Sequence, residues 1–84
     1  MVGRSRQEIY ATILKSAAKN IEGTRITRIM YESLLSYTMI STNLKELVKE
    51  GLLINVPDIT SYKVTDKGLR FLELVENMND LIKH

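Results

Sequence analysis

The stretch TRITRIMYESLLSYTMISTNLKELVKEG, residues 24–51, determines how this chain of 84 residues folds. It has the pattern of two short helices separated by a tight turn at residues 33–35. Thr24 and Ser36 are residue types that cap helix N-termini. Gly51 is suited to end the second helix, because glycine adopts left-handed backbone angles without a Cβ clash. The segment therefore predicts a helix, a turn and a second, amphipathic helix.

The sequence on either side predicts two further helices. Ser5 and Glu8 have the spacing of a capping box, in which each side chain bonds an amide of the first helical turn. They predict a first helix over residues 6–19. Thr65 is placed to cap a last helix over residues 66–82.

Two short strands are predicted between the third and the last helix. Residues 52–56 and 61–64 are rich in residues that favour strands, and Pro57 and Asp58 begin a turn between them. The resulting order is α1-α2-α3-β-β-α4, which is mainly α with a small β-hairpin (α+β). This order is that of a winged helix-turn-helix, and we expect residues 1–84 to form a single domain.

Composition narrows the class of protein. The chain has no cysteine, which excludes disulfides and thiolate metal sites, and its one histidine is His84 at the end of the chain. Its longest apolar run is far shorter than the ~18–20 residues of a membrane span. We therefore expect no metal, no cofactor and no membrane partner, and a place in the cytoplasm. The net charge is only +2, but basic residues are concentrated before residue 50, which favours a polyanion as partner of that part.

The helix predicted over residues 36–50 has one apolar and one polar side. The apolar side, expected to face the core, consists of Ile40, Leu44, Leu47 and Val48. The polar side carries Thr38, Thr42, Lys45 and Lys49, with Tyr37 and Ser41 at its margin. The major groove of DNA admits one α-helix, hydroxyl groups bond base edges, and lysines neutralise phosphates. We therefore expect this helix to enter the major groove of double-stranded DNA.

Further phosphate contacts are expected on both sides of this helix. Arg25 and Arg28 belong to the outer face of the preceding helix, and Lys63 stands beside the expected wing tip. The predicted DNA-binding residues are Arg25, Arg28, Tyr37, Thr38, Ser41, Thr42, Lys45, Lys49 and Lys63.

The last helix has more apolar residues than one stripe holds. They fall on two adjoining faces, and a domain this small covers only one of them, so the other indicates an interface. Phe71, Leu74, Met78 and Leu81 approximate the 3.5-residue spacing of paired helices. We expect a two-fold homodimer through residues 66–83, with an interface formed by Phe71, Leu74, Val75, Met78, Leu81 and Ile82.

Several segments resemble archaeal winged-helix DNA-binding proteins. TRIMY at residues 27–31 followed by LSY at 35–37 is similar to the helix and turn of that family. EGLL at 50–53 looks like the end of its reading helix, and YKVTDKGLRFLE at 62–73 looks like its second wing strand and final helix. The resemblance implies a winged helix, binding to double-stranded DNA and dimerisation through the last helix, in a small transcription regulator or chromatin protein associated with the nucleoid.

Two positions depart from that family pattern. Glu32 stands where a basic residue is common, and Leu34 where the turn often has a small polar residue. A carboxylate repels phosphates, so Glu32 is expected to alter the docking angle, and Leu34 is expected to add to the core. Tyr10, Tyr31 and Tyr62 are expected to be structural.

Other functions are consistent with the same sequence. The winged helix also serves as a scaffold for binding another protein, here through its acidic last helix, because fold alone does not determine function. A non-specific chromatin-packaging protein would use the same surface as a specific regulator. We expect no enzymatic activity, since the sequence has no nucleophile–base pair, no phosphate-cradling glycine loop and no cluster of metal ligands.

Overall fold

Seven elements follow one another in the computed structural model, which describes residues 5–56 and 60–83. They are α1 (Arg6–Ala18), β1 (Thr24–Arg25), α2 (Ile26–Ser33), α3 (Tyr37–Lys49), β2 (Leu53–Val56), β3 (Ser61–Val64) and α4 (Asp66–Lys83). The predicted order of four helices and a hairpin is confirmed, with β1 as an addition. The turn predicted at Pro57 and Asp58 lies outside the described residues.

Three of the four predicted helix caps are confirmed. The Ser5 hydroxyl accepts a hydrogen bond from the Glu8 amide, and the Glu8 carboxylate accepts one from the Ser5 amide, at 3.2 and 3.0 Å. Ser36 accepts from the amide of Met39 at 3.2 Å, and Thr65 accepts from the amide of Gly68 at 3.0 Å. These hydroxyl and carboxylate oxygens satisfy amides that have no partner within their helix, which fixes where α1, α3 and α4 begin.

The predicted cap at Thr24 is wrong. Thr24 belongs to strand β1, where it pairs with Tyr62 of β3, and its hydroxyl donates to the carbonyl of Ala17 at 3.1 Å. Arg25 precedes α2 instead and makes no capping bond with its side chain. The first amides of α2 are therefore left without a side-chain cap.

The sheet has the strand order β1-β3-β2, and both pairings are antiparallel. Strand β3 lies in the middle, with Leu53 of β2 opposite Val64. Helix α4 starts directly after β3 and approaches β2 closely at Gly68. A Cβ at this position would overlap the carbonyl oxygen of Leu52, so the close approach requires a glycine here.

The core lies between the helices and the sheet. Its fully buried large side chains are Ile13, Leu14, Ile29, Ile40, Leu44, Leu47 and Leu53. Helix α3 ends as predicted, with Gly51 at a φ of 80°. Among the described residues, no helix is long and apolar enough to cross a membrane.

Three predictions about buried side chains are wrong. Val48 was expected in the core but is 36% exposed. Leu34 takes left-handed backbone angles in the turn between α2 and α3, with a φ of 58°, and is 85% exposed. Tyr31, expected to be structural, is exposed as well. Leu34 lies outside the core because it follows the end of α2 in a left-handed conformation, whereas Tyr31 lies on the exposed face of α2 itself.

Candidate nucleic-acid interface

Helix α3 presents its polar side to solvent. Thr38, Thr42, Lys45 and Lys49 are all exposed, and they follow one another every three or four residues, which places them in one stripe. Tyr37 at the start of the helix is also exposed, whereas Ser41 at the margin is half-buried. Ile40, Leu44 and Leu47 on the opposite side are buried and hold the helix in place.

The polar stripe of α3 is not engaged by the protein itself. Within residues 5–56 and 60–83, the side chains of Thr38, Thr42, Lys45 and Lys49 take part in no hydrogen bond or ion pair with this chain. Their donors and acceptors are open to an outside partner. A stripe of short hydroxyls with two lysines is able to bond base edges and phosphates in a major groove.

A polar contact links α3 to α1. The Tyr10 hydroxyl donates to the Glu46 carboxylate at 2.9 Å, and Arg6 reaches the same carboxylate at 3.3 Å. Burial, followed by the hydrogen bond to Glu46, raises the pKa of Tyr10 above its ordinary value. The Tyr10 ring lies 6.1 Å from that of Phe71 in α4. This contact adds to the packing of Ile40, Leu44 and Leu47, which sets the direction of the polar stripe.

A second basic region surrounds the start of α2. An open groove of about 570 Å³ is lined there by Lys19, Arg25 and Arg28, together with Glu22, Gly23 and Thr27. Arg25 makes no ion pair among the described residues. The uncapped first amides of α2 add partial positive charge at the same end of the helix.

Lys63 lies beside this same groove. It belongs to the central strand β3, opposite Ile54, and its side chain is half-buried. Its Cγ is 3.4 Å from the position that a Cβ on Gly23 would occupy, which places its side chain next to the start of α2. Sequence spacing alone placed Lys63 beside the wing tip. The structure also places it near Arg25, because β1 and β3 are paired.

Glu32 makes more contacts in this region than the sequence indicated. Its Oε1 accepts a hydrogen bond from the Ser16 hydroxyl at 2.6 Å, and its Oε2 lies 3.4 Å from Arg28 Nε and 3.5 Å from Lys19 Nζ. The hydrogen bond from Ser16, together with Lys19 and Arg28, lowers the pKa of Glu32. The four-residue spacing of Arg28 and Glu32 was visible in the sequence, but the contacts to α1 were not.

The residues predicted to form a dimer interface fall into two groups. Leu74, Met78, Leu81 and Ile82 are exposed, whereas Val75 is 5% exposed and Phe71 packs partly against the core of its own chain. An open apolar groove of about 430 Å³ is lined by Gln7, Phe71, Leu74, Val75, Asn77, Met78 and Leu81. The exposed apolar surface of α4 is thus narrower than predicted.

The described residues, 5–56 and 60–83, contain no group of three or more His, Cys, Asp or Glu side chains arranged to hold a metal ion. The titratable groups that do meet there, such as Glu32 with Lys19 and Arg28, form ion pairs at the surface.

The chain is similar to known proteins in sequence and in fold. The family model for the winged helix-turn-helix matches residues 3–83. The crystal structure of Sso10a-2, a DNA-binding protein from Sulfolobus solfataricus, superimposes with a TM-score of 0.82 and 26% sequence identity, over 95% of this chain and 83% of that chain. No curated protein matches the sequence.

Proposed function

Since this chain belongs to the winged helix-turn-helix family, we propose that it binds double-stranded DNA as a homodimeric transcription regulator. The carrying observation is the polar stripe of α3, whose hydroxyls and lysines are exposed and unengaged. Arg25, Arg28 and Lys63 lie around the start of α2 and would contact phosphates beside the groove that α3 enters. The DNA-binding neighbour with the same fold supports this proposal.

Dimerisation through α4 is the second part of the proposal. Leu74, Met78 and Leu81 lie on one side of α4 at the spacing of a helix–helix seam and are exposed in the single chain. Exposed apolar surface of this kind is stabilised by a partner, and a second α4 across a two-fold axis offers the same seam. Two copies would present two α3 helices to one duplex, which favours a pseudo-palindromic site with half-sites about one helical turn apart. A protein held on the chromosome in this way would reside in the cytoplasm with the nucleoid.

Salt dependence of duplex binding tests the proposal. Lys45→Ala with Lys49→Ala should weaken binding to a random-sequence duplex about tenfold or more, and should reduce the slope of log affinity against log salt by up to about 2, because each lost phosphate contact removes nearly one unit. Fluorescence anisotropy across a potassium chloride series measures both quantities.

Lys15→Ala is a suitable control variant. Lys15 is an exposed lysine of α1 that pairs with Glu76 of α4 at 3.7 Å, away from the α3 stripe. Its removal should leave the slope unchanged. Binding by the wild type that is undetectable, or independent of salt, would refute the proposal. Capture of a specific protein after nuclease treatment, with no duplex shift, would instead favour a protein-interaction module.

Selection of bound sequences from a random pool separates regulation from packaging. A regulator should enrich a sharp consensus with two related half-sites. The absence of any consensus, with salt-dependent binding retained, would replace the regulator by a chromatin-packaging protein that uses the same surface.

A further inference from the structure

Glu32 is the only acidic residue in the sequence of α2 and lies in its last turn, where its carboxylate reaches two cations of the groove at the start of that helix. Its carboxylate forms a hydrogen bond and two ion pairs with residues from two segments of the chain. Ser16 and Lys19 come from α1 and the residue that follows it, and Arg28 comes from the preceding turn of α2. A single carboxylate therefore neutralises two cations of the groove at the start of α2.

The Glu32 carboxylate is more buried than the two cations with which it pairs. The Glu32 side chain is 20% exposed, against 60% for Lys19 and 69% for Arg28. Ser16, which bonds Oε1, is itself buried. Because these partners lower the pKa of Glu32, the carboxylate carries its full negative charge at neutral pH. A phosphate that approaches Arg28 would meet this fixed charge close behind the guanidinium.

The ion pairs divide the basic residues into two groups. Lys19 and Arg28 are paired with Glu32, whereas Arg25, Lys45 and Lys49 have no ion-pair partner among the described residues. The unpaired lysines are those of the α3 stripe. Attraction for phosphate is thus strong on α3 and reduced on the outer face of α2.

We infer that Glu32 limits the affinity of the α2 face for DNA phosphates, and so weakens the binding that is independent of sequence. This inference rests on the proposed function. A duplex phosphate that binds Arg28 or Lys19 either breaks that residue's pair with Glu32 or lies close to the Glu32 carboxylate, and both cost free energy. The cost is the same for every sequence, because phosphates are the same in every sequence.

Glu32→Gln tests the inference directly. Glutamine has nearly the same shape, and its amide oxygen still accepts the hydrogen bond from Ser16, but its amide nitrogen replaces the oxygen beside Arg28 and the side chain has no charge. The variant should bind a random-sequence duplex about threefold more tightly at low salt, with a slope steeper by up to about 1, because more phosphate charge is neutralised. Fluorescence anisotropy of wild type and variant across the same salt series provides the measurement.

Glu73→Gln is the matched control, because it makes the same change in net charge at an exposed site on α4. It should leave the salt slope at the wild-type value. Equal or weaker binding by Glu32→Gln, with wild-type binding intact, would overturn this inference alone and would assign Glu32 to positioning Arg28. Absence of duplex binding by wild type and variant alike would overturn the proposed function and this inference together.

Arg28→Ala and Lys45→Ala provide a second measurement. If Glu32 already neutralises Arg28, removal of Arg28 should weaken duplex binding less than removal of Lys45. In the Glu32→Gln background, removal of Arg28 should cost more than it does in the wild type. Equal losses for Arg28→Ala in both backgrounds would contradict the inference.

Discussion

Helices α3 and α4 each leave one side uncovered, and the two sides differ in kind. On α3 the uncovered residues are hydroxyls and lysines, Thr38, Thr42, Lys45 and Lys49. On α4 they are Leu74, Met78, Leu81 and Ile82. Both helices bury the opposite side in the same core. Packing within the chain therefore does not explain why one uncovered side is polar and the other apolar.

The difference indicates two classes of partner. A polar stripe is well solvated in water, so it is stable whether or not a partner is bound. An apolar stripe is stabilised when another apolar surface covers it, which indicates a partner that remains bound. We therefore expect α4 to be covered by a second copy before α3 meets DNA, and the following changes test that order.

The largest effect is expected from charges placed in the α4 groove. Leu74→Glu with Leu81→Glu should convert the protein to a monomer, because the paired helices would then bury four unpartnered carboxylates. Duplex affinity should fall by a factor of about 100 or more, since the second α3 would no longer bind at the high effective concentration that the dimer provides. Light scattering gives the mass, and anisotropy gives the affinity.

A charge on the other side of α4 provides the control. Asn79 is exposed and lies beside Lys15 and Glu76, at the side of α4 that faces α1. Asn79→Glu should leave the mass and the duplex affinity unchanged. A wild-type protein that is a monomer at high concentration would refute dimerisation through the α4 groove.

A smaller effect is expected from a single hydroxyl of the α3 stripe. Thr42→Ala should change the preference for one base at one position of each half-site by about five- to tenfold. This is the low end of the roughly 1–3 kcal/mol of a bidentate contact, because threonine offers only one hydroxyl and a methyl group. Thr42→Ser retains the hydroxyl and removes only the methyl group. A preference retained in the serine variant assigns the contact to a hydrogen bond, and one lost in both variants assigns it to the thymine methyl. An unchanged consensus in both would remove Thr42 from the reading surface.

Much of the structure was predictable because it depends on neighbours in sequence. Ser5, Ser36 and Thr65 each bond an amide three residues further along, and these caps were found from their residue type and spacing. The family resemblance drawn from residues 27–37 was also confirmed by the family model. The polar and apolar sides of α3 followed from helical periodicity, apart from Val48 at their edge.

The failures concern contacts between distant residues and the backbone of one turn. Thr24 has the residue type of a cap, but its bond to Ala17 and its pairing with Tyr62 depend on tertiary structure. Leu34 is apolar, yet the turn directs it to solvent. Glu32 is bonded to Ser16 across two helices, so the sequence showed its charge but not what neutralises it.

Substitution of Tyr10 tests whether the uncovered sides of α3 and α4 act independently of each other. Its hydroxyl bonds Glu46 on the inner side of α3, and its ring packs near Phe71 of α4. Tyr10→Phe keeps the ring and removes the hydrogen bond, which should lower the free energy of unfolding by about 1 kcal/mol. Thermal unfolding followed by circular dichroism measures this. Duplex affinity and dimer mass should stay unchanged, and Tyr31→Phe at an exposed ring should alter none of the three quantities.

The smallest effect is expected from the charge of Glu32 on stability, since Lys19 and Arg28 are exposed cations and such pairs are weak. The pKa of Glu32 is lower in the folded protein than its ordinary value of 4.5, so ionised Glu32 stabilises the fold at neutral pH. This contribution is fully present above 4.5 and is lost as the pH falls through the lower folded pKa. Glu32→Gln should therefore be less stable than wild type at pH 7, and the difference should shrink below pH 4.5. Chemical unfolding at pH 7 and at a pH below 4.5 measures this difference in stability. A difference that persisted in acid would show that Glu32 stabilises α2 through hydrogen bonding, whereas its charge acts on the duplex alone.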